Sequence, residues 1–330
     1  MITPTSNDLD RWVINPMTEY RYQPASDDKI TKTGVVRLRL IAILSVAVII
    51  TATLSFGYQL WRNNQIIFVG TEHGRSTGFY RMNLLSGSPR LIVSGGISSP
   101  KWSPDGKRIV YVSAAGEHGS APYHIATMNA DGTNTQQLTD GETRDYSPTW
   151  SPDGGQIAYV HAHDYSGGGP LAIFIMNSDG SGKEQVTPYA YYNDLSWSPD
   201  GRYIAYFTFV PDGIFVLDMD SYQSYPLTDQ WTDSFPVWSP DGEYIAFQSA
   251  RCDTNEHFDI YVMRSDGTDV RRLTTDPAYD RRPSWSPDGK KILFESNRDS
   301  EEYHIYVMNA DGSKKRRVTE IVGNSPDWRP

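Results

Sequence analysis

Residues 150–154 read W-S-P-D-G, and the same five letters begin at Trp102, Trp197, Trp238 and Trp285, with a shortened copy, Trp328-Arg329-Pro330, at the C-terminus. The intervals between these tryptophans are 48, 47, 41, 47 and 43 residues. A second string keeps phase with the first: M-N-A-D-G at Met128 and Met308, M-N-S-D-G at Met176, M-R-S-D-G at Met263, with weaker forms at Met82 and Leu217. A third, Leu or Val followed by Thr, stands at Leu138, Val186, Leu227, Leu273 and Val318. Tandem self-similarity of this period means one supersecondary unit repeated.

Each unit reads as four short strands. In the copy around Trp150, SPTWS, QIAYVHA, LAIFIMN and KEQVT are the strands, and the two D-G pairs mark hairpins in which Asp accepts backbone N–H groups and Gly supplies a positive φ. Second strands such as Ile109–Val112 and Ile204–Phe207 are apolar on both faces, as expected of sheets stacked between two neighbours. Four-stranded units in tandem predict an all-β propeller. Residues 65–69, QIIFV, match a second strand with no tryptophan-bearing strand before them, and the orphan SPDWR at 325–329 supplies it. The expectation is six blades, with the C-terminal strand closing blade 1 so that the ring has no free seam.

The pattern W-S-P-D-G-x-x-I-x-[YF], then I-[YF]-V-M-N-x-D-G and L-T, resembles the WD40-like repeat of TolB-type β-propellers over about residues 62–330. That resemblance implies a protein-binding scaffold of the cell envelope. Propellers of this kind are also similar to the non-catalytic propellers of prolyl-oligopeptidase-like enzymes and, more distantly, to some sugar lyases. The globular α/β domain that precedes the TolB propeller is replaced here by an apolar segment.

That segment, Leu40–Tyr58, runs for 19 residues without a charge, about 28 Å as a helix, close to the hydrocarbon thickness of a bilayer. Lys29, Lys32, Arg37 and Arg39 precede it. By the positive-inside bias the chain is organised as a flexible cytoplasmic tail (1–39), a transmembrane signal anchor (40–60) and an extracytoplasmic propeller (61–330), periplasmic or extracellular. The 40 acids against 30 bases give a net charge of −10, which argues against nucleic acid as a partner. The single cysteine, Cys252, excludes an internal disulfide and a cysteine-based zinc site.

No catalytic residue, metal site or cofactor is predicted. Gly74-Arg75-Ser76-Thr77-Gly78 has the letters of a nucleophile elbow without the strand-to-helix context that the elbow requires. Trp102, Trp150, Trp197, Trp238, Trp285 and Trp328 are expected to pack between blades. The connections not copied from blade to blade are where a rigid scaffold carries function. From these, Asp145, Tyr146, Tyr192, Asp194, Trp231, Asp233, Asp280 and Arg281 are expected to ring one mouth of the central channel and to bind a protein, peptide or glycan. Two alternatives are a carbohydrate-active lyase or hydrolase with a metal near His161 and His163, and the accessory propeller of a separately encoded peptidase.

Overall fold

The computed structural model describes residues 64–71, 77–114, 122–162, 169–251 and 257–330. The described residues all belong to one compact unit. The expected tail and the expected span at 40–60 lie outside the described residues, among which no helix is long and apolar enough to cross a membrane.

The described chain forms six four-stranded antiparallel sheets. It opens with β1 (Gln65–Thr71), β2 (Gly78–Asn83) and β3 (Arg90–Ser94) of blade 1. Blade 2 holds β4 (Ile97–Trp102), β5 (Arg108–Ala114), β6 (Tyr123–Asn129) and β7 (Gln136–Gln137). Blade 3 holds β8 (Asp145–Trp150), β9 (Gln156–Ala162), β10 (Leu171–Asn177) and β11 (Glu184–Gln185). Blade 4 holds β12 (Tyr192–Trp197), β13 (Tyr203–Phe209), β14 (Asp212–Asp218) and β15 (Ser224–Pro226). Blade 5 holds β16 (Ser234–Trp238), β17 (Tyr244–Ser249), β18 (Asp259–Arg264) and β19 (Arg271–Arg272). Blade 6 holds β20 (Asp280–Trp285), β21 (Lys291–Ser296), β22 (His304–Asn309) and β23 (Arg316–Arg317). The last strand, β24 (Val322–Trp328), returns to pair with β1 as the inner strand of blade 1.

The ring closes as the orphan strand predicted. Ile66 pairs with Trp328 and Gly70 with Gly323. The tail also grips blade 2: the Asp327 carboxylate accepts the Trp102 N–H at 2.8 Å and pairs with Lys101 Nζ at 3.1 Å. Arg329 donates to the Gly106 carbonyl and to Gln65 Oε1 while its guanidinium lies over the Trp102 ring.

Six apolar clusters fill the blade interfaces. Trp150, for instance, packs with Val110, Val112 and Ile125 of blade 2 and with Ile157 and Met176 of its own blade. Corresponding clusters hold Trp102, Trp238, Trp285 and Trp328, while Trp197 is half-buried against blade 3. Burial on both faces explains the apolar second strands, and truncating one such tryptophan would cost about 3–5 kcal/mol.

The fourth strands differ from expectation. KEQVT was expected whole as a strand, but β11 has two residues. The reason is the third repeated marker: the Thr187 hydroxyl leaves the outer edge to accept the Ile173 N–H at 2.9 Å, and Thr139, Thr228, Thr274 and Thr319 do the same for Ile125, Ile214, Ile260 and Ile305. Short outer strands also blunt the exposed edge of each sheet.

Candidate functional site

The two faces of the ring are built differently. The first-to-second strand turns share one hydrogen-bond set: the Ser151 hydroxyl donates to Asp153 Oδ1 at 2.6 Å, which also accepts the Gly155 N–H at 2.9 Å. Ser103/Asp105, Ser198/Asp200, Ser239/Asp241 and Ser286/Asp288 repeat it. The glycine that follows has φ between 66° and 73° in all five. The Ser151 hydroxyl and the Gly155 N–H hold the Asp153 carboxyl below its usual range. Gly180-Ser181-Gly182-Lys183 belongs to the third-to-fourth strand turns on the same face, where Asp179 accepts the Ser181 N–H and hydroxyl. These side chains are occupied in making turns.

On the opposite, loop face the expected site residues separate into three groups. Asp145, Asp233 and Asp280 do not ring the mouth: all three are buried. Asp145 pairs with His161 Nδ1 at 2.8 Å, Asp233 is held by Arg251 in a two-pronged pair, and Asp280 binds Arg298 Nη2 at 2.8 Å. Arg298 also reaches Asp276 at 3.0 Å. Asp145 and Asp280 open inner strands and Asp233 stands one residue before β16, and each pairs with a base at or just past the far end of the next strand, which a buried carboxylate requires. Tyr192 is buried too, edge-on to Tyr206 at 5.2 Å, and burial pushes its hydroxyl up. Arg281 is half-buried among Tyr279, Tyr303 and Phe258, with its guanidinium 4.7 Å from the Tyr279 ring.

The second group is exposed and sits around blade 4. Trp231 lies in the loop to blade 5, Tyr189 and Tyr191 in the loop from blade 3, and Phe209 and Val210 at the tip of the β13–β14 hairpin. Their exposures run from 39% to 66%, so among the described residues these five form an uncovered apolar sector of the loop face. No base occurs in residues 187–192, 207–213 or 228–233, and Asp212 and Asp229 are exposed beside the aromatics.

Tyr146 and Asp194 form the third group, which lines the channel. The channel has a loop-side cavity of about 420 Å³ and a turn-side cavity of about 380 Å³ that share Lys101, Leu195 and Val237. The loop-side cavity owes its lining to a feature that sequence reasoning missed. In every blade the residue three before the tryptophan has a positive φ: Ser99, Ser147, Asp194, Phe235, Arg282 and Ser325, at 48–56°. The inner strand slips register around each of them, as between Asn193 and Ser196, so the bulge re-aims that side chain toward the axis. Five of the six precede a proline. The missed signal was this x-P-x-W position, at which Ser, Ser and Ser give way to Asp, Phe and Arg on consecutive blades 4, 5 and 6.

Asp194 is half-buried at the bulge of β12, and burial pushes its carboxyl up to about 7 against the pull of Arg282, the Phe235 N–H and Lys101. Arg282 donates to the Ser325 hydroxyl at 2.5 Å and lies over the Phe235 ring at 5.0 Å, with Glu295 at 3.9 Å.

Among the described residues no group of three or more His, Cys, Asp or Glu is placed to hold a metal ion. His163 lies outside the described residues, as do Ser76 and Cys252.

The family model for the TolB beta propeller domain matches residues 60–190, 108–255 and 169–330. No curated protein sequence matches the chain. Among solved structures, TolB from Acinetobacter baumannii superposes with TM-score 0.69 at 20% identity, covering 82% of this chain and 67% of that one. A putative TolB from Agrobacterium tumefaciens gives TM-score 0.61 at 23% identity, covering 79% and 90%. An oligogalacturonate lyase in complex with manganese gives 0.52 at 17%, covering 74% of each chain. At these identities the structures share the fold, and the matched repeats span most of the sequence: the chain belongs to the TolB beta propeller domain family.

Proposed function

We propose that this protein is a membrane-anchored, extracytoplasmic scaffold that binds a polypeptide partner on the blade 4 sector of its loop face, without catalysis. The observation that carries the reading is the set Tyr189, Tyr191, Phe209, Val210 and Trp231, exposed on three uncharged or acidic loops around blade 4. Aromatic anchors with an acidic rim suit an apolar segment flanked by Lys or Arg. Family membership supports a role in binding, and the apolar run Leu40–Tyr58 supports the anchor. A lyase reading centred on His161 has less support, because the Nδ1 of that ring is engaged by Asp145.

The test uses the full-length protein in its own membranes with a photo-crosslinking residue at Trp231 or, as the contrasting position, at Tyr222 on the turn face. The same polypeptide should be trapped at 231 and not at 222, and the double variant Phe209→Ala, Tyr191→Ala should lose it. Undiminished trapping in that variant would sink the reading.

A further inference from the structure

Among the described residues, one charged group of the loop-side cavity has no ion pair within 4 Å, although Arg282 and Lys101 act on it from farther off. Among its charged lining residues, Lys101 pairs with Asp327 and Arg282 with Glu295. Asp194 has no ion pair among the described residues, and it lines a cavity together with Lys101, Arg282, Asn193, proline rings, serine hydroxyls, Leu195, Phe235, Tyr123 and Tyr146. We propose that this cavity binds a single ammonium group, carried on a small amine or on a lysine side chain, with the Asp194 carboxylate as its counter-ion.

Three observations converge on that chemistry. The cavity, about 420 Å³, has the size of a small-ligand pocket and is too small for a folded domain. An ammonium has three donors, which Asp194 and the Ser99 and Ser147 hydroxyls of the same axial ring can accept, while the prolines and Phe235 meet the alkyl stem. A divalent metal fits poorly, since among the described residues no group of three or more His, Cys, Asp or Glu is placed to hold one.

The groups facing Asp194 are Lys101 on blade 2 and Arg282 on blade 6, with their partners Asp327 and Glu295 and the Tyr146 phenol on blade 3. Burial pushes Asp327, Glu295 and Tyr146 up. With the Asp194 carboxyl at about 7, the ionised form that an ammonium needs is scarce in mild acid. Binding near neutrality should therefore expel a proton.

The probe is n-butylammonium, titrated calorimetrically into the full-length protein, with n-butanol as the uncharged counterpart. Saturable binding of the ammonium and not of the alcohol is expected, with affinity about thirty-fold weaker at about pH 5.5 than at about pH 8.5, from the fraction of carboxylate ionised. Asp194→Asn should abolish it while melting no lower than the parent, because Asn tolerates a positive φ. Equal binding of butanol, undiminished binding in Asp194→Asn, or a site that answers to calcium and not to the ammonium overturns the proposal. A peptide with one lysine, compared with its acetylated form as a competitor, separates the two sources: displacement by the free lysine alone assigns a partner's side chain, and no displacement assigns a small amine. Because this titration contains no protein partner, its outcome is independent of trapping at residue 231.

Discussion

On the turn face, five S-P-D-G hairpins repeat a single set of Ser, Asp and backbone hydrogen bonds, whereas on the loop face blade 4 exposes five large apolar side chains while blades 3, 5 and 6 bury their acids against His161, Arg251 and Arg298. Repetition thus reports on the construction of the ring. Variation reports two different things, seals and openings, and only burial and pairing distinguish them.

The largest effect should come from breaking the closure that both faces share. Deleting residues 320–330 removes β24, the Asp327 bonds to blade 2 and the Trp328 cluster together. Since a domain holds only about 5–15 kcal/mol in total, no cooperative melt should survive. Circular dichroism and size-exclusion of the truncated protein check this, and an unchanged melting transition would refute the closure model.

A seal on the loop face should matter next. Asp280→Ala leaves the Arg298 guanidinium with Asp276 as its remaining acid partner in a largely buried position. Losing one member of a buried pair costs about 3–5 kcal/mol, and the surviving contact puts this variant near the lower end. Urea unfolding should show a lower midpoint at unchanged slope.

Much of the ring was legible because the period, the D-G turns and the orphan SPDWR strand are local chemistry repeated in sequence. The site was less so. Asp145, Asp233 and Asp280 look like loop residues in sequence, yet their bases lie 16 or 18 positions onward, at or just past the end of the neighbouring strand, a pairing set by register. Asp194 was singled out for the loop it follows, while its orientation comes from a bulge that shifts two strands against each other. Trp231 alone needed no tertiary information, since a lone tryptophan between two aspartates in a loop has little to pack against.

Asp194→Asn tests an opening as a matter of stability. The carboxyl of the folded protein titrates at about 7, above its ordinary 3.8, so between these values the folded state holds a proton that the unfolded state has lost. Stability contributed by the protonated form is complete below about pH 4 and disappears as the pH rises toward 7. The Asn variant lacks this penalty. It should therefore be more stable than the parent at pH 8, on the order of 2 kcal/mol after allowing for water in the cavity, and equal to it at pH 4. Thermal melts of both proteins at the two pH values decide the matter, and a variant less stable than the parent at pH 8 would reverse the sign argued here.

The smallest effect belongs to the most repeated residue. Asp153→Ala removes the acceptor of the Ser151 hydroxyl and the Gly155 N–H, but the Gly155 N–H is exposed to water, the buried Ser151 hydroxyl also reaches the Gln156 carbonyl and still accepts the Gln156 N–H, and four other turns are untouched. Hydrogen bonds that water can replace contribute about 1 kcal/mol net, so the melting point should fall by only a few degrees. The lost carboxylate also has an acid signature. Because its pKa is depressed in the folded state, its contribution is present above the ordinary carboxylate value and vanishes as the pH falls through the folded one. The parent's advantage over Asp153→Ala should therefore shrink in acid, opposite to the trend for Asp194→Asn, whose gain over the parent appears only as the pH rises. Two aspartates on opposite faces of one ring would then titrate stability in opposite directions, one because its turn is built around the charge and the other because its cavity leaves the charge without an ion pair.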